Sequence, residues 1–138
     1  MINNIKNMGK SRFVLALNGL VMMIIGICFF TFNNHINLTM FPGIAENQLA
    51  LEVATVLRYI MGSGIFTIGI ILFLARISAK SGAQRLLMGS SIGFLLIFLT
   101  TLFVKYQYDS IDIPIVGIII FPILSLLSLY VSSRPFQE

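Results

Sequence analysis

Residues 13–32 read FVLALNGLVMMIIGICFFTF, twenty residues without a single charged side chain. A helix of about 20 apolar residues is about 30 Å long, which matches the hydrocarbon thickness of a lipid bilayer. Three more stretches of similar length and composition follow, at residues 53–75, 86–104 and 113–131. The sequence therefore predicts four membrane-spanning segments.

The spanning segments are expected to be helices, because a helix satisfies every backbone hydrogen bond within its own segment. A β-barrel strand would alternate apolar and polar residues, and residues 115–124 show no such alternation. The predicted fold is an all-α integral membrane four-helix bundle that forms one domain over residues 1–138. Its helices are expected at about residues 13–32, 45–77, 86–104 and 112–132, the second with an extension that protrudes outward.

Local signals refine these boundaries. The polar residues 78–83 predict a tight turn, which would make the second and third helices antiparallel neighbours. Asp112 is expected to cap the fourth helix, with Pro114 in its first turn, where a missing amide hydrogen does no harm.

The charges predict the orientation of the bundle. Seven of the nine Lys and Arg residues fall on one side of the predicted membrane, and four of the five acidic residues fall on the other. Positive charge accumulates on the cytoplasmic side of membrane proteins. Both termini and the loop at 76–85 are therefore expected in the cytoplasm, and the loops at 33–52 and 105–112 are expected outside.

Several functional classes are disfavoured by composition. The net charge of +4 is explained by membrane orientation, so a nucleic-acid partner is not expected. Cys28 is the only cysteine and His35 the only histidine, so neither a disulfide nor a metal site is predicted. No catalytic set of Ser, His and Asp or of Cys and His is visible. We therefore expect neither an enzyme nor a bound cofactor.

Glycines mark faces of three predicted helices. They occur seven residues apart on the first two helices and four residues apart on the third. Glycine lets two backbones approach closely, and close packing drives helix association in lipid. The predicted helix-packing glycines are Gly19, Gly26, Gly62, Gly69, Gly89 and Gly93.

Arg58 is the most informative polar residue, because it lies one to two turns inside the second spanning segment. A charge at this depth is costly and usually faces the bundle interior or a wet cavity. One interpretation makes Arg58 the anchor for an anionic or polar headgroup in an outward-facing pocket. The other pairs it with an acid, with Asp112 or Asp109 preferred over Glu52. The candidate ligand-binding residues are Arg58, Tyr59, Asp112 and Asn18.

The order of these features resembles a known group of proteins. A basic N-terminal tail and a glycine-spaced first helix precede the element Arg58-Tyr-Ile-Met-Gly62, which is followed by Gly69 and a basic turn at Arg76. The chain is similar to the small four-helix bacterial membrane proteins of the DoxX-like group and to a related domain-of-unknown-function family. The resemblance implies a four-helix fold. Some members of the group are subunits of quinone-linked or thiol-linked redox systems, but this chain lacks a cysteine pair.

Together these observations predict a multi-pass protein of the bacterial inner membrane. Its expected role is that of a non-catalytic accessory or assembly subunit, which contacts the lipid bilayer and either other membrane subunits or further copies of itself. The alternative is a small transporter or a lipid- or quinone-binding protein with an outward-facing pocket at Arg58.

Overall fold

The computed structural model describes residues 2–108 and 111–133, without the side chains of residues 2–9 and of Lys80. The described residues form five α-helices and no strand. The helices are α1 (Ile2–Thr31), α2 (Asn33–Met40), α3 (Gln48–Ala75), α4 (Lys80–Gln107) and α5 (Ile115–Ser132). A single turn of 3-10 helix, Ile44–Glu46, lies between α2 and α3. The prediction of an all-α fold is confirmed.

Four of the helices are long and apolar enough to cross a membrane. The qualifying stretches are Lys10–Thr31, Gln48–Ala75, Ser81–Gln107 and Ile115–Ser132. Many large apolar side chains on these helices point away from the protein, among them Phe13, Ile60, Phe103 and Val116. Exposing so much apolar surface to water would cost free energy, whereas contact with the hydrocarbon chains of a lipid bilayer would not.

The helices pack as two pairs. The most extensive contact joins α1 to α3, and the next joins α4 to α5. Helix α1 also contacts α4 and α5, so it connects the two pairs, whereas α3 and α4 hardly touch. The prediction that the second and third spanning helices are close neighbours is therefore wrong. The turn between them links one helix pair to the other, and the glycine face of α3 packs on α1 instead.

The apolar core lies where α1 meets the α4/α5 pair. Leu15, Met22 and Leu87 are fully buried there. Phe94 and Leu124 pack into the same cluster, and the Phe94 ring lies 6.2 Å from the ring of Phe121. This core holds the second pair against α1.

Four glycines lie at the contact between α1 and α3. A Cβ atom on Gly19 would meet the backbone nitrogen of Phe73 at 2.6 Å, and one on Gly26 would meet the Gly62 carbonyl oxygen at 2.9 Å. A Cβ on Gly62 would lie 3.0 Å from the Phe29 Cβ, and one on Gly69 would lie 2.7 Å from the Met23 backbone nitrogen. The structure thus places all four glycines at close helix contacts.

Gly89 and Gly93 behave differently. A Cβ atom built at either position meets nothing within 4 Å, so neither glycine packs against another helix in the described part of the chain. The expectation that they pack helices within this bundle is not met, because α4 presents a different face to α5.

Two boundaries near the loops at 33–52 and 105–112 also differ from expectation. Residues 33–40, predicted as loop, form α2. Helix α5 begins at Ile115 with Pro114 at its N-cap and without a side-chain cap, so Asp112 does not cap it. Instead, the backbone N–H of Asp112 donates to the Met40 carbonyl oxygen at 3.0 Å. The connection before α5 is therefore attached to the end of α2.

Candidate functional site

Helix α2 brings two asparagines onto α3. Asn33 and Asn37 are four residues apart, so they project from the same face of the helix. Both are buried, and Asn37 has no exposed surface at all. The amide groups of both residues form hydrogen bonds with Thr55 of α3.

Arg58 of α3 contacts the amide of Asn37. Its side chain is only 8% exposed. Its Nε and Nη2 atoms both donate to the Asn37 Oδ1 atom, at 3.1 and 2.8 Å. The guanidinium carbon lies 5.0 Å from the centre of the Phe29 ring, which is within the range of a cation–π contact. Arg58 therefore joins α1, α2 and α3.

The Nη1–Nη2 edge of the guanidinium faces a sulfur atom. Both Nη1 and Nη2 lie 3.6 Å from the Sδ atom of Met40, the last residue of α2. A thioether sulfur is a weak, uncharged acceptor. The strong contact of Arg58 is thus along its Nε–Nη2 edge, and the weak contact is along its Nη1–Nη2 edge.

The side-chain amides of Asn37 and Asn33 form a chain of hydrogen bonds that leads away from Arg58. Asn37 Nδ2 donates to Asn33 Oδ1 at 2.8 Å and to Thr55 Oγ1 at 3.3 Å. Asn33 Nδ2 donates in turn to the Thr55 carbonyl oxygen at 3.1 Å. Each amide thus turns its oxygen toward the cation, and the aligned dipoles lower the cost of burying the charge. We call Phe29, Asn33, Asn37, Met40, Thr55 and Arg58 the Arg58 cluster.

The predicted acidic partner of Arg58 is not seen among the described residues. Asp112 is exposed and forms no salt bridge with Arg58, and Glu52 instead accepts a hydrogen bond from Gln48 at 3.1 Å. Asp109 lies outside the described residues. The pairing predicted with Asp112 or Glu52 is therefore wrong, and the guanidinium donates to the Asn37 amide oxygen instead. Asp112 adjoins the cluster only through its backbone bond to Met40.

Tyr59 is exposed and does not enter the cluster. Its ring stacks on Phe30, with centroids 6.0 Å apart and planes inclined by 23°. This contact adds to the packing of α1 on α3 at the exposed surface of the helix pair.

Asn18 forms a separate polar site between α1 and α5. Its side chain is 0% exposed, and its Nδ2 donates to Ser128 Oγ at 2.7 Å. The Ser128 hydroxyl donates to the Leu124 carbonyl oxygen at 2.7 Å. Among the described residues, Asn18 Oδ1 is the one buried side-chain polar atom without a hydrogen-bond partner. Asn18 is eleven residues from Phe29, about 16 Å along the helix, so it does not join the Arg58 cluster.

A reciprocal pair of serines joins α4 to α5. Ser91 Oγ lies 3.0 Å from the Ser125 carbonyl oxygen, and Ser125 Oγ lies 2.8 Å from the Ser91 carbonyl oxygen. Both residues are buried. Their hydroxyls therefore stabilise the packing of this helix pair.

The cluster residues that sequence reasoning missed are Phe29, Asn33, Asn37, Met40 and Thr55. A signal was present, since positions 33, 37 and 40 have the spacing of one helical face. Cys28 is partly buried and His35 exposed, and no three His, Cys, Asp or Glu side chains are grouped for metal binding within the residues that the structure covers.

Comparisons of the chain with protein-family models, with curated proteins and with solved structures found no match.

Proposed function

We propose that the chain is a multi-pass protein of the bacterial inner membrane, with both termini in the cytoplasm. The four apolar helices support this proposal. Arg12 lies near the start of the first span, and Arg76 and Arg85 flank the turn between the second and third. Glu46 and Asp112 belong to the opposite loops. This asymmetry favours a cytoplasmic position for the basic end.

Within the membrane, the proposed role is that of a non-catalytic accessory or assembly subunit. The observation that carries this proposal is the use of Arg58, the only buried charged residue among those described. Its guanidinium joins α1, α2 and α3 through Phe29, Asn37 and Met40. A charge committed to contacts within its own chain supports a structural role better than a catalytic one.

The partner of such a subunit is another membrane protein or a second copy of this chain. Purification of the tagged chain in a mild detergent tests this, with the stoichiometry of co-purifying proteins and the mass of the complex as readouts. We expect a stoichiometric partner or a homo-oligomer. Recovery of a monomer that carries only lipid and detergent would contradict the proposal.

Matched variants locate the contact in the same experiment. Gly89 and Gly93 are one helical turn apart and have open space around them, so Leu at both positions should leave the fold unchanged. Gly64 on α3 is equally open and serves as the control. The α4 variant should lose the partner, and the Gly64→Leu variant should keep it. Loss of the partner in both, or in neither, would contradict a contact through α4.

The resemblance to the DoxX-like group is part of this proposal. It is supported by the four-helix architecture and by the position of Arg58, four residues before a glycine that contacts α1. The test is an experimental structure that superposes on a member of that group through all four spanning helices.

A second candidate function is that of a small transporter or of a lipid- or quinone-binding protein. It is favoured by one observation: the Nη1–Nη2 edge of Arg58 meets only the thioether of Met40 among the described residues. Mass spectrometry of the ligands that remain bound to the purified protein tests this candidate. An amphiphile retained by the wild type and lost from Arg58→Lys would support it, and equal retention by both would contradict it.

A further inference from the structure

The two edges of the Arg58 guanidinium differ in what they bind. The Nε–Nη2 edge donates twice to the Asn37 amide oxygen, at 3.1 and 2.8 Å. The Nη1–Nη2 edge points at Met40 Sδ, with both nitrogen atoms at 3.6 Å. The second edge is a planar fork of the kind that recognises phosphate and carboxylate groups with two parallel hydrogen bonds.

The fork is held in place before any ligand arrives. Asn37 fixes one edge, and the Phe29 ring supports the face of the guanidinium at 5.0 Å. The Asn37 amide is fixed in turn by Asn33 and Thr55. A ligand that met this fork would not have to order the arginine, which is the general advantage of a preorganised site.

The group that covers the fork is easily displaced. Met40 is only partly buried, and its side chain has three rotatable bonds and a weakly accepting sulfur. An anionic oxygen would replace the two weak thioether contacts with hydrogen bonds between oppositely charged groups, which are shorter and stronger. Met40 is thus a cap that a stronger acceptor can replace.

The depth of the fork suits a lipid headgroup. Arg58 is five residues past the start of the apolar stretch at Val53, or about 8 Å along the helix. Long arginine side chains reach from such a depth to the interface. The site therefore lies within reach of the phosphate layer of the outer leaflet.

We propose that the Nη1–Nη2 fork of Arg58 binds a phosphate oxyanion after Met40 has moved aside. The proposal deepens the second candidate function and rests on it, because it names the chemical group that the site recognises. The phosphate belongs either to a membrane phospholipid or to free inorganic phosphate, and the test separates these sources.

The experiment measures binding to the full-length chain in a non-ionic detergent. The probes are phosphatidylglycerol, a diacylglycerol with the same acyl chains but no phosphate, and inorganic phosphate. The variants are Arg58→Lys, which keeps the charge without the fork, and Met40→Ala, which removes the cap. Arg85→Gln is the control, because it removes an exposed cation remote from the cluster.

We expect phosphatidylglycerol to bind more tightly than diacylglycerol. Arg58→Lys should weaken phosphatidylglycerol binding about tenfold or more. Met40→Ala should strengthen it several-fold, and Arg85→Gln should leave it unchanged. Competition by inorganic phosphate would identify the free ion as a ligand, whereas its failure to compete would identify the lipid headgroup.

Three results would overturn the proposal. They are equal binding of phosphatidylglycerol and diacylglycerol without binding of inorganic phosphate, unchanged affinity in Arg58→Lys, and unchanged or weaker affinity in Met40→Ala. Equal binding of the two lipids would leave the second candidate function intact while removing its phosphate specificity. Absence of binding by both lipids and by inorganic phosphate would remove both. Because Met40→Ala keeps every contact of Arg58 with Asn37 and Phe29, it remains informative if Arg58→Lys fails to fold.

Discussion

Gly19 and Gly69 face each other so closely that neither can carry a side chain without a shift of backbone. A Cβ on Gly19 would lie 2.7 Å from the Gly69 carbonyl oxygen, and a Cβ on Gly69 would lie 2.8 Å from the Gly19 carbonyl oxygen. Gly26 and Gly62 repeat the relationship seven residues along each helix, at 2.9 and 3.3 Å. The two contacts are about 10 Å apart along the helices. They fix α1 and α3 in one antiparallel register.

The first prediction concerns this register. Gly69→Ala should destabilise the protein by about 1–3 kcal/mol, because the nearest neighbours include backbone atoms that cannot move aside. Gly64→Ala on the same helix should be neutral or stabilising by up to about 1 kcal/mol, because the site is open and alanine favours the helix. Thermal unfolding in detergent, followed by circular dichroism, compares the two. Equal melting temperatures for both variants would show that the glycine contact does not contribute to stability.

Sequence reasoning predicted the parts of the fold that depend on hydropathy and glycine spacing. The four long apolar helices were predicted, since bilayer length and composition constrain them directly. The partners of each helix were harder to predict, because an apolar helix does not specify which neighbour it meets. Gly19 and Gly69 were recognised as packing residues, but the same reasoning gave Gly89 and Gly93 a contact that is not found among the described residues.

The Arg58 cluster is the part of the structure that was predicted least well from the sequence. Arg58 was singled out from its depth in an apolar stretch, but its partners were expected to be acids. The eight residues of α2 have little hydrophobicity, so residues 33–40 looked like a loop. The helix forms because tertiary contacts of Asn33 and Asn37 with α3 stabilise it, and such contacts cannot be inferred from local propensity.

The second prediction concerns the unpartnered oxygen of Asn18. Ser128→Ala removes the acceptor of Asn18 Nδ2 and leaves both ends of a buried amide unsatisfied. We expect a loss of about 1–2 kcal/mol. Asn18→Leu has a similar volume and removes the unpartnered oxygen together with the amide, so it should cost less or even stabilise.

Thermal unfolding of the two variants measures this difference. Ser132→Ala provides the control, because Ser132 is half-buried and its hydroxyl bonds only to the Leu129 carbonyl oxygen of its own helix. If Asn18→Leu is at least as destabilising as Ser128→Ala, then Asn18 Oδ1 has a partner that stabilises it, and the prediction fails.

The third prediction concerns orientation in the membrane. Single cysteines introduced at the exposed positions Ser81 and Glu46, in a Cys28→Ala background, report the two ends of the bundle. A membrane-impermeant thiol reagent added to cells with a permeabilised outer membrane should label position 46 and not position 81. The reverse pattern would mean that the topology is inverted, and labelling at both would mean that the chain does not span the membrane as proposed.

The most direct test of the central claim, that Arg58 fastens α2 to α3 through Asn37, is a double-mutant cycle. Arg58→Met leaves the buried Asn37 oxygen without its donors, and Asn37→Leu leaves the Nε–Nη2 edge of Arg58 without its acceptor. Breaking one side of a buried charged hydrogen bond costs more than replacing both sides with apolar groups. The free energy of unfolding of the wild type, both single variants and the double variant is measured in one detergent. The structure predicts that the double variant loses about 1–3 kcal/mol less than the two single variants together. If the losses of unfolding free energy are additive within about 0.5 kcal/mol, Arg58 and Asn37 are not energetically coupled and the claim is contradicted.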